Sequence, residues 1–339
     1  MTYEPIQRVE IENYGCIRKL DLALSPLHAL IGPNDSGKST ILRALRTAVD
    51  RAARNAPSDL PVVLQRSPPP VDPTYAPNAR MVVHYADGLG WATLGHGPEG
   101  KWFIEAMGVR EPADPPRSRV TPATMVRFDP DTLREPGDLI PESYGVAFRS
   151  DRGDGLASVM DAIANRDTDA FVKIQNDARS LFPSVAKVGL INVSASQKEV
   201  AVTLVDGNRV GAKAMSEGLL YYLAFLALRY VEGSHLFLVE EPENGLHPAR
   251  IAEVMGVLRE MSKTSQVVIA THSPLVVNEL GGEEVSVVTR TMDLGTRAIL
   301  LKDVPGYADA MKVYRPGEFW VSYCNGEDEG PLLNGTPRQ

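Results

Sequence analysis

The sequence predicts an α/β protein in which a mixed central β-sheet carries an antiparallel β lobe and a helical lobe. Three observations support this fold class. Continuous apolar runs of strand length end in glycine-rich or acidic loops, segments with helical apolar spacing separate these runs, and short alternating runs cluster between residues 81 and 128.

Composition limits the functional classes. The chain has 339 residues, 43% hydrophobic and 23% charged, with a formal net charge of −8. No apolar stretch reaches the roughly 20 residues that span a bilayer, and the N-terminus does not resemble a signal peptide. Two cysteines, Cys16 and Cys324, give neither a disulfide framework nor metal-ligand spacing. We therefore expect a cytoplasmic protein without a membrane partner, and the negative charge argues against general electrostatic DNA binding.

The first part of the chain predicts strands that lead into a loop and a helix. Apolar residues alternate over residues 7–31, which predicts two or three strands. A helix is expected from Ser39 to about Asn55, because Ile41, Leu42 and Leu45 share one face.

Two inserted lobes are expected next. The β lobe covers about residues 60–130 and includes four strand-like runs, Met81–Tyr85, Trp91–Leu94, Trp102–Ala106 and Met125–Phe128. Proline-rich stretches at 56–78 and 111–122 are interpreted as loops within it. The helical lobe covers about residues 150–215, with helical spacing over 153–183 and strands over 187–213 around an Asp206-Gly207 turn.

The remaining segments alternate between helices and buried strands. A very apolar helix is predicted from Glu217 to Tyr230, a strand at 235–239, a helix at about 249–262 and a strand at 266–270. Two further strand-like runs follow residue 284. We predict a main domain over residues 1–290 and a C-terminal, β-containing extension over 291–339.

The motif that follows the first apolar strands indicates a phosphate-binding loop. It fits G-x-x-x-x-G-K-[ST] and opens a helix, which is the context that such a loop requires. Backbone N–H groups and the helix N-terminus would hold the phosphates, Lys38 would neutralise them and Ser39 would offer a hydroxyl to Mg²⁺. A chance glycine loop is the disfavoured alternative. The predicted ATP-binding residues are Gly32, Pro33, Asn34, Asp35, Ser36, Gly37, Lys38, Ser39 and Thr40.

An acidic pair and a histidine follow two later buried strands. Glu240 and Glu241 end the strand at 235–239, and in a parallel sheet this edge lies beside the phosphate loop. Glu240 would hold Mg²⁺, and Glu241 would orient and polarise the attacking water. His272 follows the next buried strand and would contact the γ-phosphate or this water. A solvated strand end and a structural histidine are the alternatives.

These motifs together resemble the ABC-type ATPase heads of the SMC/RecF/OLD group, nearest to the compact AAA_21-like (AAA15/21) ATPases. Five motifs carry the resemblance in order and spacing over most of residues 7–290. They are the opening strand at 11–17, the phosphate loop at 32–40, the signature-like loop Met215–Gly218, the acidic pair with its D-loop at 240–248, and the switch at 271–273.

The resemblance implies a P-loop NTPase of ABC-ATPase head type that uses ATP and Mg²⁺. In such heads Ser216 and Gly218 would face the γ-phosphate held by a second subunit, so a homodimer with ATP at its interface is implied. Lys38, Glu241 and His272 would act in catalysis, and Ser39 and Glu240 would hold the metal. Relatives of this size imply control of a separate effector, probably a nuclease by analogy, in DNA repair or anti-phage defence.

The chain departs from the family pattern in several places. Glu240 replaces the commoner aspartate, Gly15 stands where relatives often carry arginine, and Gln65 is only a weak candidate for the Q-loop residue. About 175 residues between phosphate loop and signature leave no room for a long coiled-coil arm. The tail lacks an acidic constellation for a TOPRIM nuclease and an HNH-like cluster.

Other functions stay open. A transporter ATPase subunit would need a membrane partner and usually a fuller L-S-G-G-Q loop, and a non-enzymatic scaffold would bind ATP as a structural ligand. A basic stripe on the first helix (Arg43, Arg46, Arg51 and Arg54) would suit nucleic acid as a further partner. A solvated face paired with acids such as Asp50 is the favoured interpretation of this stripe.

Overall fold

The six-stranded central sheet places the ends of its strands around one edge. In the computed structural model, which describes residues 4–54, 79–85, 90–96, 101–107, 121–291 and 295–324, its order is β15-β14-β3-β13-β12-β7. All neighbours are parallel except the β14–β15 hairpin. The strands are β3 (Leu27–Ile31), β7 (Ala123–Val126), β12 (Leu236–Glu240), β13 (Gln266–Thr271), β14 (Val285–Thr291) and β15 (Gly295–Leu300).

The inner strands β3, β12 and β13 are buried along their whole length, as expected for parallel strands covered on both faces. The mixed α/β fold class predicted from the sequence is confirmed. Separate apolar cores lie on the two faces of this sheet, because alternate strand residues point to opposite sides.

A second sheet is wholly antiparallel and covers one face. It has the order β2-β1-β4-β5-β6, formed by β1 (Ile6–Tyr14), β2 (Ile17–Ala23), β4 (Arg80–Tyr85), β5 (Gly90–His96) and β6 (Lys101–Met107). Helix α1 (Lys38–Arg54) lies between the two sheets and buries Ile41, Leu42 and Leu45. The first two strands therefore belong to this lobe as well.

One run of the predicted β lobe lies elsewhere. The segment Met125–Phe128 was expected among the antiparallel strands, but its strand β7 pairs in parallel with β12 at the edge of the central sheet. Its alternating apolar residues do not reveal the direction of the neighbouring strand, which only long-range pairing determines.

The helical lobe combines helices with a small sheet. Helices α2 (Pro130–Arg134), α3 (Leu156–Arg166) and α4 (Thr168–Leu181) pack with β8 (Gly137–Asp138), β9 (Val185–Asn192), β10 (Gln197–Leu204) and β11 (Arg209–Gly211). The predicted Asp206-Gly207 turn joins β10 to β11, and Gly207 has a φ of 87° there. α3 is buried along most of its length against this sheet and α5.

The C-terminal half completes the sheet and covers its other face. Its helices are α5 (Glu217–Leu228), α6 (Ile251–Met261), α7 (Pro274–Val277), α8 (Tyr307–Ala310) and α9 (Pro316–Cys324). The expected boundary at residue 290 falls inside β14, whose hairpin partner β15 belongs to the central sheet. The elements that follow β15 among the described residues are helices. Within the described ranges, no helix has the length and apolarity to cross a bilayer.

Candidate nucleotide site

The phosphate loop connects β3 to α1, and its backbone shape requires glycine at two positions. A Cβ on Gly32 would lie 2.1 Å from the carbonyl oxygen of Val288, and Gly37 has a φ of +105°. The ammonium of Lys38 donates hydrogen bonds to the carbonyl oxygens of Gly32 at 2.6 Å and Pro33 at 2.7 Å. This cation therefore lies over the loop, above the first turn of α1, whose N-terminus attracts anions.

A cavity of about 560 Å³ opens beside this loop at the carboxyl edge of the central sheet. It brings together most of the phosphate loop, the acidic pair and three arginines. Its lining comprises Cys16, Asn34, Asp35, Gly37, Lys38, Ser39, Thr40, Arg43, Arg127, Glu240, Glu241, Ala270 and Arg290. The predicted juxtaposition of phosphate loop and acidic pair is therefore present, with cations facing both.

The residues proposed for Mg²⁺ suit that ion. Glu240 ends β12 and is 6% exposed, and its Oε1 has no hydrogen-bond partner among the described residues. A buried carboxylate oxygen without a donor costs free energy unless a cation or water satisfies it. Ser39 lines the same cavity. Mg²⁺ typically takes one or two protein oxygens besides phosphate and water, so this pair suffices without a larger acidic cluster.

Glu241 is held in a specific orientation. Its φ of +49° is unusual for a residue with a Cβ, and its N–H donates to the carbonyl of Ala270 at 2.8 Å. Its Oε2 accepts from Arg127 Nη2 at 2.8 Å and from Asn244 Nδ2 at 2.7 Å. The strained turn and the two donors direct this carboxylate into the cavity.

The switch segment after β13 lies against the same carboxylates. His272 is 54% exposed, and its Nδ1 lies 3.9 Å from Glu241 Oε1 and 3.7 Å from Glu243 Oε1. The hydroxyl of Thr271 donates to Glu243 Oε1 at 2.6 Å, and the His272 N–H donates to the same oxygen at 3.4 Å. Glu243 thus ties the turn after β12 to the turn after β13, and this positions His272 beside Glu241.

The signature-like loop lies outside the cavity of its own chain. Ser216 is exposed at the N-cap of α5, its side chain accepts no capping hydrogen bond, and neither it nor Gly218 lines the cavity. Behind it, the ring of Tyr221 packs on Gly245 of the D-loop, where a Cβ would lie 2.2 Å from Tyr221 Cε2. Burial raises the pKa of Tyr221, and its hydroxyl donates to the Phe128 carbonyl at 3.2 Å.

Several residues of the site were not predicted. Arg127, Asn244 and Glu243 hold the acidic pair and the switch, and Arg290 lines the cavity. Arg127 directly follows the apolar run of β7, so a parallel assignment of that run would have identified it. Gly15, which stands where relatives often carry arginine, lies in the turn between β1 and β2 with a φ of +53°. Its neighbour Cys16, and not Gly15, lines the cavity.

The basic stripe on α1 is divided in the structure. Arg46 forms ion pairs with Asp50 and Asp151, as the favoured interpretation expected, but its side chain is largely buried and not solvated. Arg43 is exposed and lines the cavity. The side chain of Arg54 and the Q-loop candidate Gln65 lie outside the described residues.

Comparison with known proteins points to ATPase domains. One family model, described as "AAA domain, putative AbiEii toxin, Type IV TA system", matches residues 136–278, and one described as "AAA ATPase domain" matches residues 5–67. An OLD nuclease of Thermus scotoductus is 48% identical over 40 residues, which is 12% of this chain and only 8% of that protein.

Solved SMC heads have the same fold. An SMC head bound to the C-terminal winged-helix domain of ScpA matches with a TM-score of 0.60 at 15% identity, over 87% of this chain and 97% of the other. An SMC head with an extended coiled coil, bound to the C-terminal domain of ScpA derived from Pyrococcus furiosus, matches with a TM-score of 0.56 at 14% identity, over 92% and 98%. The fold, the order of the motifs and the two family models together support the resemblance of the chain to ABC-type ATPase heads of the SMC/RecF/OLD kind.

Proposed function

We propose that the protein hydrolyses ATP at composite sites formed between two heads of a homodimer, and that this cycle controls a separately encoded effector. The observation that carries the proposal is that the predicted ATP-binding residues lie in two separate places on one chain. The cavity contains the phosphate loop, Glu240 and Glu241, whereas Ser216 and Gly218 lie outside it on an exposed helix N-terminus. A helix N-terminus suits anionic oxygens, so a second head would complete the site.

Each residue has a distinct part in the proposed reaction. Lys38 and the loop N–H groups bind the β- and γ-phosphates, and Ser39 with Glu240 would hold Mg²⁺. Mg²⁺ would neutralise the charge that develops on the phosphate oxygens. Glu241 orients and polarises the attacking water, and His272 contacts this water or the γ-phosphate. His272 Nδ1 lies 3.9 Å from Glu241 Oε1, which supports the proposal that both side chains contact the same attacking water.

The effector remains a proposal by analogy. The names of a matching family and of the OLD relative refer to a toxin and a nuclease, which supports an effector of that type in defence or DNA repair. The SMC head bound to a ScpA domain supports a head that works with another protein. A transporter subunit would need a membrane partner, and an ATP-binding scaffold would not need the oriented Glu241 and His272.

The test compares Glu241→Gln with wild type in a steady-state ATPase assay and in light scattering with and without ATP. We expect loss of turnover together with ATP-dependent dimers that persist, because the amide still fits but cannot polarise water. Glu260→Gln serves as a control, since Glu260 is an exposed residue of α6 that pairs with Lys263 and does not line the cavity. Wild-type turnover by Glu241→Gln would disprove its role, and its failure to dimerise with ATP would disprove the head-to-head arrangement.

A further inference from the structure

Arg127 occupies a special position at the sheet edge. It is the residue after β7, which pairs in parallel with β12 and aligns Val126 with Val239. Arg127 therefore lies at the same edge as Glu240 and Glu241, where the carboxyl ends of the strands meet the phosphate loop. Its side chain lines the cavity together with Lys38 and Ser39.

The guanidinium of Arg127 contacts both carboxylates yet stays accessible. Nη2 donates to Glu241 Oε2 at 2.8 Å, and Nη1 lies 4.0 Å from Glu240 Oε2. The side chain is 57% exposed, so the ion pair is screened by solvent and contributes little to folding stability. A weak, exposed pair at a reacting carboxylate is easily exchanged for a stronger anion.

The main chain around Arg127 is fixed, in contrast to its side chain. Its N–H donates to the carbonyl of Asp151 at 2.7 Å, and the carboxylate of Asp151 pairs with Arg46 on α1, the helix that follows the phosphate loop. The next residue, Phe128, accepts from Tyr221 of the signature helix. The guanidinium is therefore free to reorient on a backbone that is tied to both halves of the composite site.

We propose that Arg127 is a γ-phosphate-responsive switch that alternates between two anions, the Glu241 carboxylate and the γ-phosphoryl oxygens of ATP. This inference rests on the proposed ATP hydrolysis at this cavity. A γ-phosphoryl group carries more charge than a carboxylate and presents oxygens that suit the planar fork of arginine. When Arg127 moves to the phosphate, Glu241 keeps Asn244 as its donor and is released to take the attacking water, while the guanidinium stabilises charge on the transferred group.

Three substitutions separate this role from a structural one. Arg127→Ala removes the cation, Arg127→Lys keeps the charge without the fork, and Arg127→Gln keeps an amide donor for Glu241 without charge. We expect kcat to fall by about tenfold or more in Arg127→Ala and Arg127→Gln, with a much smaller change in the ATP concentration at half-maximal rate, and an intermediate kcat in Arg127→Lys. If Arg127 only tethered Glu241, Arg127→Gln would behave like wild type.

Chemical rescue provides a second readout. Millimolar guanidinium chloride is expected to restore part of the kcat of Arg127→Ala, because the free cation enters the space that the side chain leaves. Arg152→Ala is the matched control, since Arg152 is also exposed, at 68%, and pairs with Asp129 at 2.7 Å outside the cavity. The control should keep wild-type turnover and gain nothing from guanidinium.

The outcomes distinguish this inference from the proposed function. If wild type lacks ATPase activity, or Glu241→Gln hydrolyses ATP normally, the proposed function fails first. If wild type is active and Glu241→Gln is not, but Arg127→Ala or Arg127→Gln keeps wild-type kcat, only the switch is overturned. Equal responses of Arg127→Ala and Arg152→Ala to guanidinium would also overturn it.

Discussion

Complementation between two inactive variants tests whether each ATP site is shared by two heads. Lys38→Ala removes the cation that lies over the phosphate loop, where it donates to Gly32 and Pro33. Ser216→Glu places a negative charge at the helix N-terminus that would face the γ-phosphate of the partner. This second change should not disturb the fold, because Ser216 is exposed, its side chain makes no capping hydrogen bond, and an acidic residue is favourable at a helix N-terminus.

The magnitude follows from symmetry. Each homodimer of either variant has two defective sites, so each protein alone should be inactive. In an equimolar mixture about half of the dimers combine both variants, and each of these has one intact site out of two. The ATPase rate of the mixture should therefore reach about one quarter of the wild-type rate at the same total concentration.

The assay is steady-state phosphate release at several mixing ratios, with a maximum expected at equal amounts. Ser196→Glu is the control, since Ser196 is an exposed serine in the β9–β10 turn, and it should keep full activity alone. A mixture no more active than the sum of its components would refute a site shared in trans. Full activity of Ser216→Glu alone would show that the signature-like loop does not contact ATP.

Two further predictions concern the strand before the phosphate loop and the D-loop. His28 on β3 is fully buried between Ser25 and Ser286, and burial lowers its pKa to about 4. The unfolded chain protonates this imidazole near pH 6.5, whereas the folded chain does so only near pH 4. The contribution of neutral His28 to the free energy of unfolding is therefore complete above pH 6.5 and falls by about 3 kcal/mol towards pH 4. Denaturant titrations at pH 7 and pH 4 should show the difference in unfolding free energy between wild type and His28→Asn shrinking by this amount. Gly245→Ala should lower thermal stability and kcat, because Gly245 has a φ of +69° and an added Cβ would collide with Tyr221. Gly256 is the control, since it is exposed on α6 and an added Cβ would meet no atom of the described residues within 4 Å beyond its chain neighbours and the backbone of its own helix. Gly256→Ala should be neutral or stabilising by about 1 kcal/mol. Equal melting temperatures for both alanine variants, or a pH-independent difference at His28, would contradict these expectations.

The sequence predicted the parts of the site that local motifs encode. The loop at 32–40 needs glycine at Gly32, which faces the Val288 carbonyl, and at Gly37, which adopts a positive φ. The glycines that the backbone conformation requires are therefore the same ones that define the sequence motif. Glu240 and Glu241 were also predictable, because a buried strand of continuous apolar residues has a defined end. These features depend on neighbours in the chain.

The sequence did not predict the parts that depend on pairing across the chain. Arg127 became a member of the site only through the parallel alignment of β7 with β12, whose aligned residues Val126 and Val239 are 113 positions apart. The alternation of residues 123–128 fits either sheet equally well, and the choice is made by tertiary packing. For the same reason, the boundary placed at residue 290 cuts a strand, since the hairpin partner of β14 follows it in sequence.

The contacts of Arg127 and Glu241 form a closed path that would join the proposed hydrolysis to the proposed encounter of two heads. Glu241 is bound by Arg127 and Asn244, the residue after Asn244 packs on Tyr221, and Tyr221 donates to the residue after Arg127. Tyr221 belongs to the helix whose exposed end carries Ser216. A shift of α5 on contact with a partner head would therefore be transmitted to both donors of Glu241, and such a device would limit hydrolysis to paired heads.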